Sequence, residues 1–187
     1  MDLHHQFEVA AAVDHTWSAF LDMPRVAPCM PGAEVTEVID ERNIKGGARV
    51  KVGPLNLRFA GQAEITQIDD SSRSALMIAK GSDAKGRGSA ETEVRFSLSE
   101  AGDDRTLVDL HTELTLSGSV AQYGRVSGLI DEIANQLIAE FVENLEIELA
   151  QAATPAAAAA PAPKAVSGLS VFFRALGALI KKWFRRS

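Results

Sequence analysis

The sequence predicts an α+β fold in which a curved, seven-stranded antiparallel sheet closes around a long C-terminal helix, with a tethered amphipathic helix beyond it. Three observations carry this. Before residue 120, seven stretches read as strands, several with apolar and polar residues alternating in steps of two. Between residues 127 and 150, apolar residues instead recur at i, i+3, i+4 and i+7. The remainder is an Ala/Pro tract followed by a segment with one apolar and one basic side.

The first strand is set by Leu3, His5, Phe7 and Val9 alternating with His4, Gln6 and Glu8. Asp14 is placed to N-cap a helix through Thr16–Leu21, which carries Trp17 and Phe20. Pro24, Pro28 and the pair Pro31-Gly32 then limit any second helix to a turn or two. The next strands are Glu34–Ile39, Ile44–Val52, Leu55–Ile68, Ser74–Lys80, Ser89–Ser99 and Thr106–Ser117. Gly46-Gly47, Gly53-Pro54, Asp69-Asp70, Gly81–Gly88 and Ala101–Asp104 punctuate them. Leu55, Leu57, Phe59 and Ala63 share one face, as do Ala90, Thr92, Val94, Phe96 and Leu98, and likewise Val108, Leu110, Leu114 and Leu116. One wet and one apolar face over so many strands implies strong curvature.

The apolar face needs a cover. Ile130, Ile133, Ala134, Leu137, Ile138, Phe141 and Leu145 form a stripe from about Ser127 to Ala150, with Glu132, Glu140, Glu143 and Glu146 mostly opposite. About 23 residues of helix are about 35 Å long, enough to lie across a bent sheet. The order of one strand, two helices, six strands and a long helix is the helix-grip layout, assigned to residues 1–151.

Residues 152–166 are an Ala/Pro tether: Pro155, Pro161 and Pro163 forbid a continuous helix. Its span is ~45 Å extended and nearer 20–25 Å as a coil. In residues 167–187, Leu169, Phe172, Phe173, Leu176, Leu179, Ile180, Trp183 and Phe184 fall within an arc of roughly 140° on a helical wheel. Arg174, Lys181, Lys182 and Arg185 lie opposite with Arg186 at the edge, and the segment has no acidic residue. This is the pattern of a helix lying in a membrane interface, since its apolar run is too short to span. A helix packed on the body or on a second protomer is the alternative. The whole chain carries −6, and residues 152–187 carry +6, which leaves −12 on the body. An anionic leaflet would attract the tail and repel the body, and the body's acidity argues against nucleic acid. A single cysteine, Cys29, and an N-terminus without a signal-peptide pattern point to the cytoplasmic side of a membrane.

No catalytic constellation emerges. His4 and His5 point to opposite sheet faces, and His15 and His111 are scattered, so no metal site is expected. Cys29 reads as a buried structural thiol, the paired aspartates as turn formers, and Trp17 as core. Lys80–Gly88 lacks the following helix of a phosphate loop and reads as a mobile hairpin at a cavity mouth or a partner contact. Tyr123, at the hand-over from strand to helix, offers a hydroxyl to a ligand carbonyl, to a helix cap or to solvent.

The phrases Val13–Asp22 (VDHTWSAFLD), Pro31–Glu34 (PGAE), Lys51–Ile65 (KVGPLNLRFAGQAEI), Lys80–Ala90 (KGSDAKGRGSA) and Gly118–Arg125 (GSVAQYGR) resemble the CoxG family of carbon monoxide dehydrogenase, a branch of the START/Bet v 1-like (SRPBCC) superfamily, over about residues 2–150. The resemblance implies a helix-grip fold around an apolar cavity and an accessory role beside a molybdenum hydroxylase of the carbon monoxide dehydrogenase type. Small residues at Ala60, Gly61, Ala63, Ala75, Ala79, Gly88 and Ala90 add a physical reason for a cavity, because those that face inward leave volume unfilled. The lining is expected from Leu57, Phe59, Met77, Val94, Phe96, Leu114, Tyr123, Ala134, Leu137 and Phe141. The expected function is non-enzymatic: binding a lipophile, a respiratory quinone (menaquinone or ubiquinone), and linking the enzyme to the membrane quinone pool. The alternative is a recruitment adaptor with no ligand transport.

Overall fold

The computed structural model describes residues 1–52, 55–125 and 128–153. The expected tail helix at 167–187, its membrane-facing residues and the linker from residue 154 onward lie outside them. The chain opens with strand β1 (Asp2–Val9), followed by helix α1 (Val13–Leu21), the single turn α2 (Met23–Val26) and a 3₁₀ turn at Ala27–Cys29. Strands β2 (Ala33–Asp40), β3 (Asn43–Val52), β4 (Leu55–Asp69), β5 (Ser74–Asp83), β6 (Ser89–Glu100) and β7 (Thr106–Leu116) follow. A 3₁₀ segment, Gly118–Arg125, leads into helix α3 (Leu129–Ala153).

All seven strands join one antiparallel sheet in the order β1-β7-β6-β5-β4-β3-β2. The helix-grip architecture read from the sequence is therefore the observed one. β2 through β7 are successive hairpins, and β1 closes against β7 because the three helical pieces after it carry the chain to the far edge. α3 runs two residues past the expected domain end at residue 151. No described helix is long and apolar enough to cross a membrane.

One local expectation fails. Helix α1 begins at Val13 with Ala12 as N-cap, and no side chain caps it. Asp14 lies inside the first turn, where a carboxylate favours the positive helix end, and it meets Arg73 at 2.7 Å.

The core is concentrated at one end of the layer between sheet and α3. Val9, Ala19, Val108, Leu145 and Leu149 are almost wholly buried. Phe20 and Phe141 meet edge to face at 5.9 Å, Phe7 and Phe141 at 6.3 Å, and Trp17 and Phe96 at 6.1 Å. The Trp17 indole N–H donates to Asp70 at 3.0 Å, satisfying the one polar atom this ring brings inside. Buried Cys29 sits behind α2, where Asn144 donates to its carbonyl at 2.9 Å and burial pushes its thiol pKa up.

Candidate ligand-binding site

The register explains where the layer fails to close. Across the inner face, Gly46, Gly61, Gly81 and Ala90 form one cross-strand row. Ile44, Ala63, Ala79, Thr92 and Leu114 form the next. Gly61 has to be glycine, because an added Cβ would run into the Lys80 carbonyl oxygen of the neighbouring strand. The row is the crease of the bent sheet. Small side chains facing a helix cannot fill the gap beneath it.

Helix α3 does not fill it either. Its principal contacts are to β1, α1 and the two 3₁₀ segments rather than to the central strands. Ala134, Leu137 and Ile138 face inward yet remain half-buried, as do Ala79, Thr92, Ala90 and Leu114 on the sheet. These inward positions are only partly covered, and we call this loosely filled stretch of the layer the trough. It is bounded on one side by the aromatic core and on the other by a second cluster, in which Leu57 and Val120 are buried against Val50, Phe59, Leu116, Tyr123, Leu129 and Ile133.

The expected lining residues divide accordingly. Leu114, Ala134 and Leu137 are half-buried and belong to neither cluster. Met77 and Val94 pack at the edge of the aromatic core, and Phe59 and Tyr123 at the edge of the second cluster. Phe96, Phe141 and Leu57 are 5%, 7% and 5% exposed, so these three are closed core rather than lining. The reason is that α1 brings Phe20 and Trp17 onto Phe96, while 3₁₀ residue Val120 seals Leu57. Sequence periodicity places a residue on a face but does not reveal which neighbours fill the space above it.

The hairpin between β5 and β6 corrects a second expectation: its glycines and charges build a locked structure. The Asp83 carboxylate is fully buried and accepts from the Arg87 guanidinium at 2.7 and 2.8 Å. It also accepts from the backbone N–H groups of Arg58, Lys85 and Arg87 at 3.0–3.3 Å. These donors, Arg87 foremost, hold its pKa well below the usual carboxylate range. Arg87 also donates to the Asn56 carbonyl at 3.0 Å, and its own carbonyl accepts from the backbone of Ser119 and Val120. Gly88 admits this closeness, since a Cβ there would strike the Ser117 carbonyl and φ is +145°. The clamp fastens β4, the hairpin and the 3₁₀ segment below α3 into one frame at the second cluster.

Elsewhere, the outer face carries a mixed-sign ladder of exposed pairs. Lys80 meets Glu91 at 2.6 Å, and Arg95 meets Glu113 at 2.8 Å. A shallow depression of about 510 Å³ on that face is lined by Lys45, Gln62, Lys80, Ser82, Ser89 and Glu91, with Ala60, Gly61, Gly81 and Ala90 at its floor. Another of about 440 Å³ lies between α2 and α3, beside Arg25 and Glu148. Neither depression contains any of the expected lining residues. His111 is less scattered than its position suggests, because it is the register partner of His4, and its ring joins the carboxylates of Asp2 and Glu113 in an exposed group. Glu113 is already engaged by Arg95, and His4 by Asp109 at 3.0 Å.

The chain is similar in fold to a conserved protein from Geobacillus kaustophilus, at 20% identity and a TM-score of 0.69 over 81% of this chain and 97% of that one. A START superfamily protein from Mycobacterium smegmatis aligns at 15% identity and a TM-score of 0.54, over 81% and 98%. Norcoclaurine synthase from Thalictrum flavum aligns at 17% and 0.50, over 78% and 92%. At these identities the likeness is one of fold alone, a curved antiparallel sheet around a long C-terminal helix. No curated protein matches the sequence significantly. The profile of one family does match, over residues 6–150, and the chain belongs to that family, the CoxG family of carbon monoxide dehydrogenase.

Proposed function

We propose that the chain is a non-enzymatic, membrane-tethered carrier that takes a lipophilic molecule, a respiratory quinone, into the trough under α3 and links carbon monoxide dehydrogenase to the membrane quinone pool. Family membership supports the coarser part, an accessory protein of that dehydrogenase with a ligand-binding fold. The trough is the observation that carries the finer part. A mostly apolar gap framed by the Asp83–Arg87 clamp and a closed aromatic core suits an apolar ligand. Quinones enter the reading because the apolar and basic segment 167–187 would hold that gap beside a bilayer, where such molecules dissolve.

Two experiments test the reading. Protein purified with its own membranes and extracted with organic solvent should release a quinone near one per chain by mass spectrometry. Removing residues 167–187 should shift the protein from vesicle-bound to soluble, and added salt should weaken binding of the intact chain. Vesicle binding without any extractable or saturable lipophile would leave a recruitment adaptor in the carrier's place. Equal vesicle binding by the truncated chain would remove the tether.

A further inference from the structure

Among the described residues, His5 is the one histidine on the inner face of the sheet. It is 9% exposed and stands in register with Leu110, next to Phe96 in the same cross-strand row. Along β1 it separates Phe7, packed on Phe141, from half-buried Leu3, so it marks the border between aromatic core and trough. Its Nε2 is buried and makes no hydrogen bond. Asp131 Oδ1, in the first turn of α3, lies 3.3 Å away, an ion-pair contact only if the ring is protonated, and the Asp131 side chain is 54% exposed. A buried ring nitrogen without a partner is uncommon in folded proteins and calls for an explanation.

We propose that His5 is the polar anchor of the trough, its Nε2 donating a hydrogen bond to a carbonyl oxygen at one end of an otherwise apolar ligand. This rests on the carrier reading and adds to it the residue that receives the ligand's carbonyl oxygen and so selects against a plain hydrocarbon. The geometry supplies the pieces. Apart from the hydroxyls of Thr92 and Thr112, the inner-face rows of the gap are hydrocarbon, and His5 stands at its edge on β1. Asp131 covers Nε2 without satisfying it. Being half exposed and also within 3.3 Å of the Asn135 amide, it has somewhere else to go when a ligand oxygen takes its position. A donor atom that water does not reach discriminates by being left unpaired when the ligand lacks its oxygen.

The test compares two probes of similar hydrocarbon bulk, decylubiquinone and decylbenzene, by titration calorimetry in dilute detergent with the full chain, its His5→Leu and His5→Gln variants, and melting temperature as a folding check. The wild type should bind the quinone more tightly than the alkylbenzene. His5→Leu should raise the quinone Kd roughly two- to tenfold and leave the alkylbenzene Kd unchanged. His5→Gln, which keeps an amide donor, should recover part of the loss. In wild type labelled with ¹⁵N in the imidazole, decylubiquinone and not decylbenzene should move the His5 Nε2 resonance, a readout that needs no variant. An unmoved resonance during saturable quinone binding, or equal loss of both probes in His5→Leu, would overturn the anchor while the carrier reading stands. Failure of the wild type to bind either probe would take the carrier reading and the anchor together.

Discussion

The two halves of α3 carry the same apolar spacing and do different work. Toward the C-terminus, Phe141, Leu145 and Leu149 are 7%, 0% and 2% exposed against Phe7, Phe20 and their neighbours. Toward the N-terminus, Ala134, Leu137 and Ile138 stay half-buried over rows built from Gly61, Gly81, Ala63, Ala79 and Ala90. The difference lies in what faces the helix. Aromatic rings from β1, β6 and α1 close one end, and glycines and alanines at the sheet's crease leave the other open. On the proposed reading, stability and binding fall to separate lengths of one helix, and altering one is expected to affect the other little.

The largest effect that should separate the halves is in stability. Leu145→Ala is expected to destabilise the body by about 3 kcal/mol, since a buried leucine leaves a cavity, whereas Leu137→Ala should cost under about 1 kcal/mol because solvent already reaches it. Urea unfolding of the two variants measures this, and equal losses would mean that the trough is packed. Next comes filling. Ala75→Phe, at a position 7% exposed in the closed core, should destabilise by about 1–3 kcal/mol. Ala79→Phe, further along the same strand face but over the trough, should leave the melting temperature nearly unchanged and weaken binding of a quinone analogue. The Asp83–Arg87 clamp should show itself in pH dependence. The folded pKa of Asp83 lies below its unfolded value, so its contribution is complete above about pH 4, the ordinary aspartate range, and is lost as pH falls toward the folded value. Asp83→Asn should therefore be less stable than wild type at pH 7, with the gap narrowing in acid. The smallest effect belongs to the exposed ladder: Glu113→Gln, which breaks the pair with Arg95, should leave urea stability within error.

Most of the architecture is legible in the sequence because strands and helices announce themselves through local periodicity. The face shared by Ala90, Thr92, Val94, Phe96 and Leu98 is read correctly from spacing alone, and register confirms it. What escapes depends on pairs far apart in sequence. His5 and Asp131 meet from opposite ends of the body, and nothing near either one signals the other. Asp83 and Arg87 are only four apart, yet they sit in a glycine-rich run that resembles a loose loop until three backbone donors and a neighbouring 3₁₀ segment close on them. Periodicity sets Phe96 and Phe141 along the cavity, but they are core because α1 folds over them, a long-range choice that alternation cannot encode. The Asp14 cap fails for a simpler reason: the helix starts one residue before it.

The central claim, that the N-terminal half of α3 covers a site rather than a core, is tested most directly by calorimetric titration of decylubiquinone into the full chain and into its Ala134→Phe variant, which places a ring in the gap from the helix side. The account predicts saturable binding near one per chain for the wild type, its loss in Ala134→Phe, and melting temperatures within a few degrees of each other. Binding that survives the added ring, or a wild type that shows no saturable binding, would contradict it.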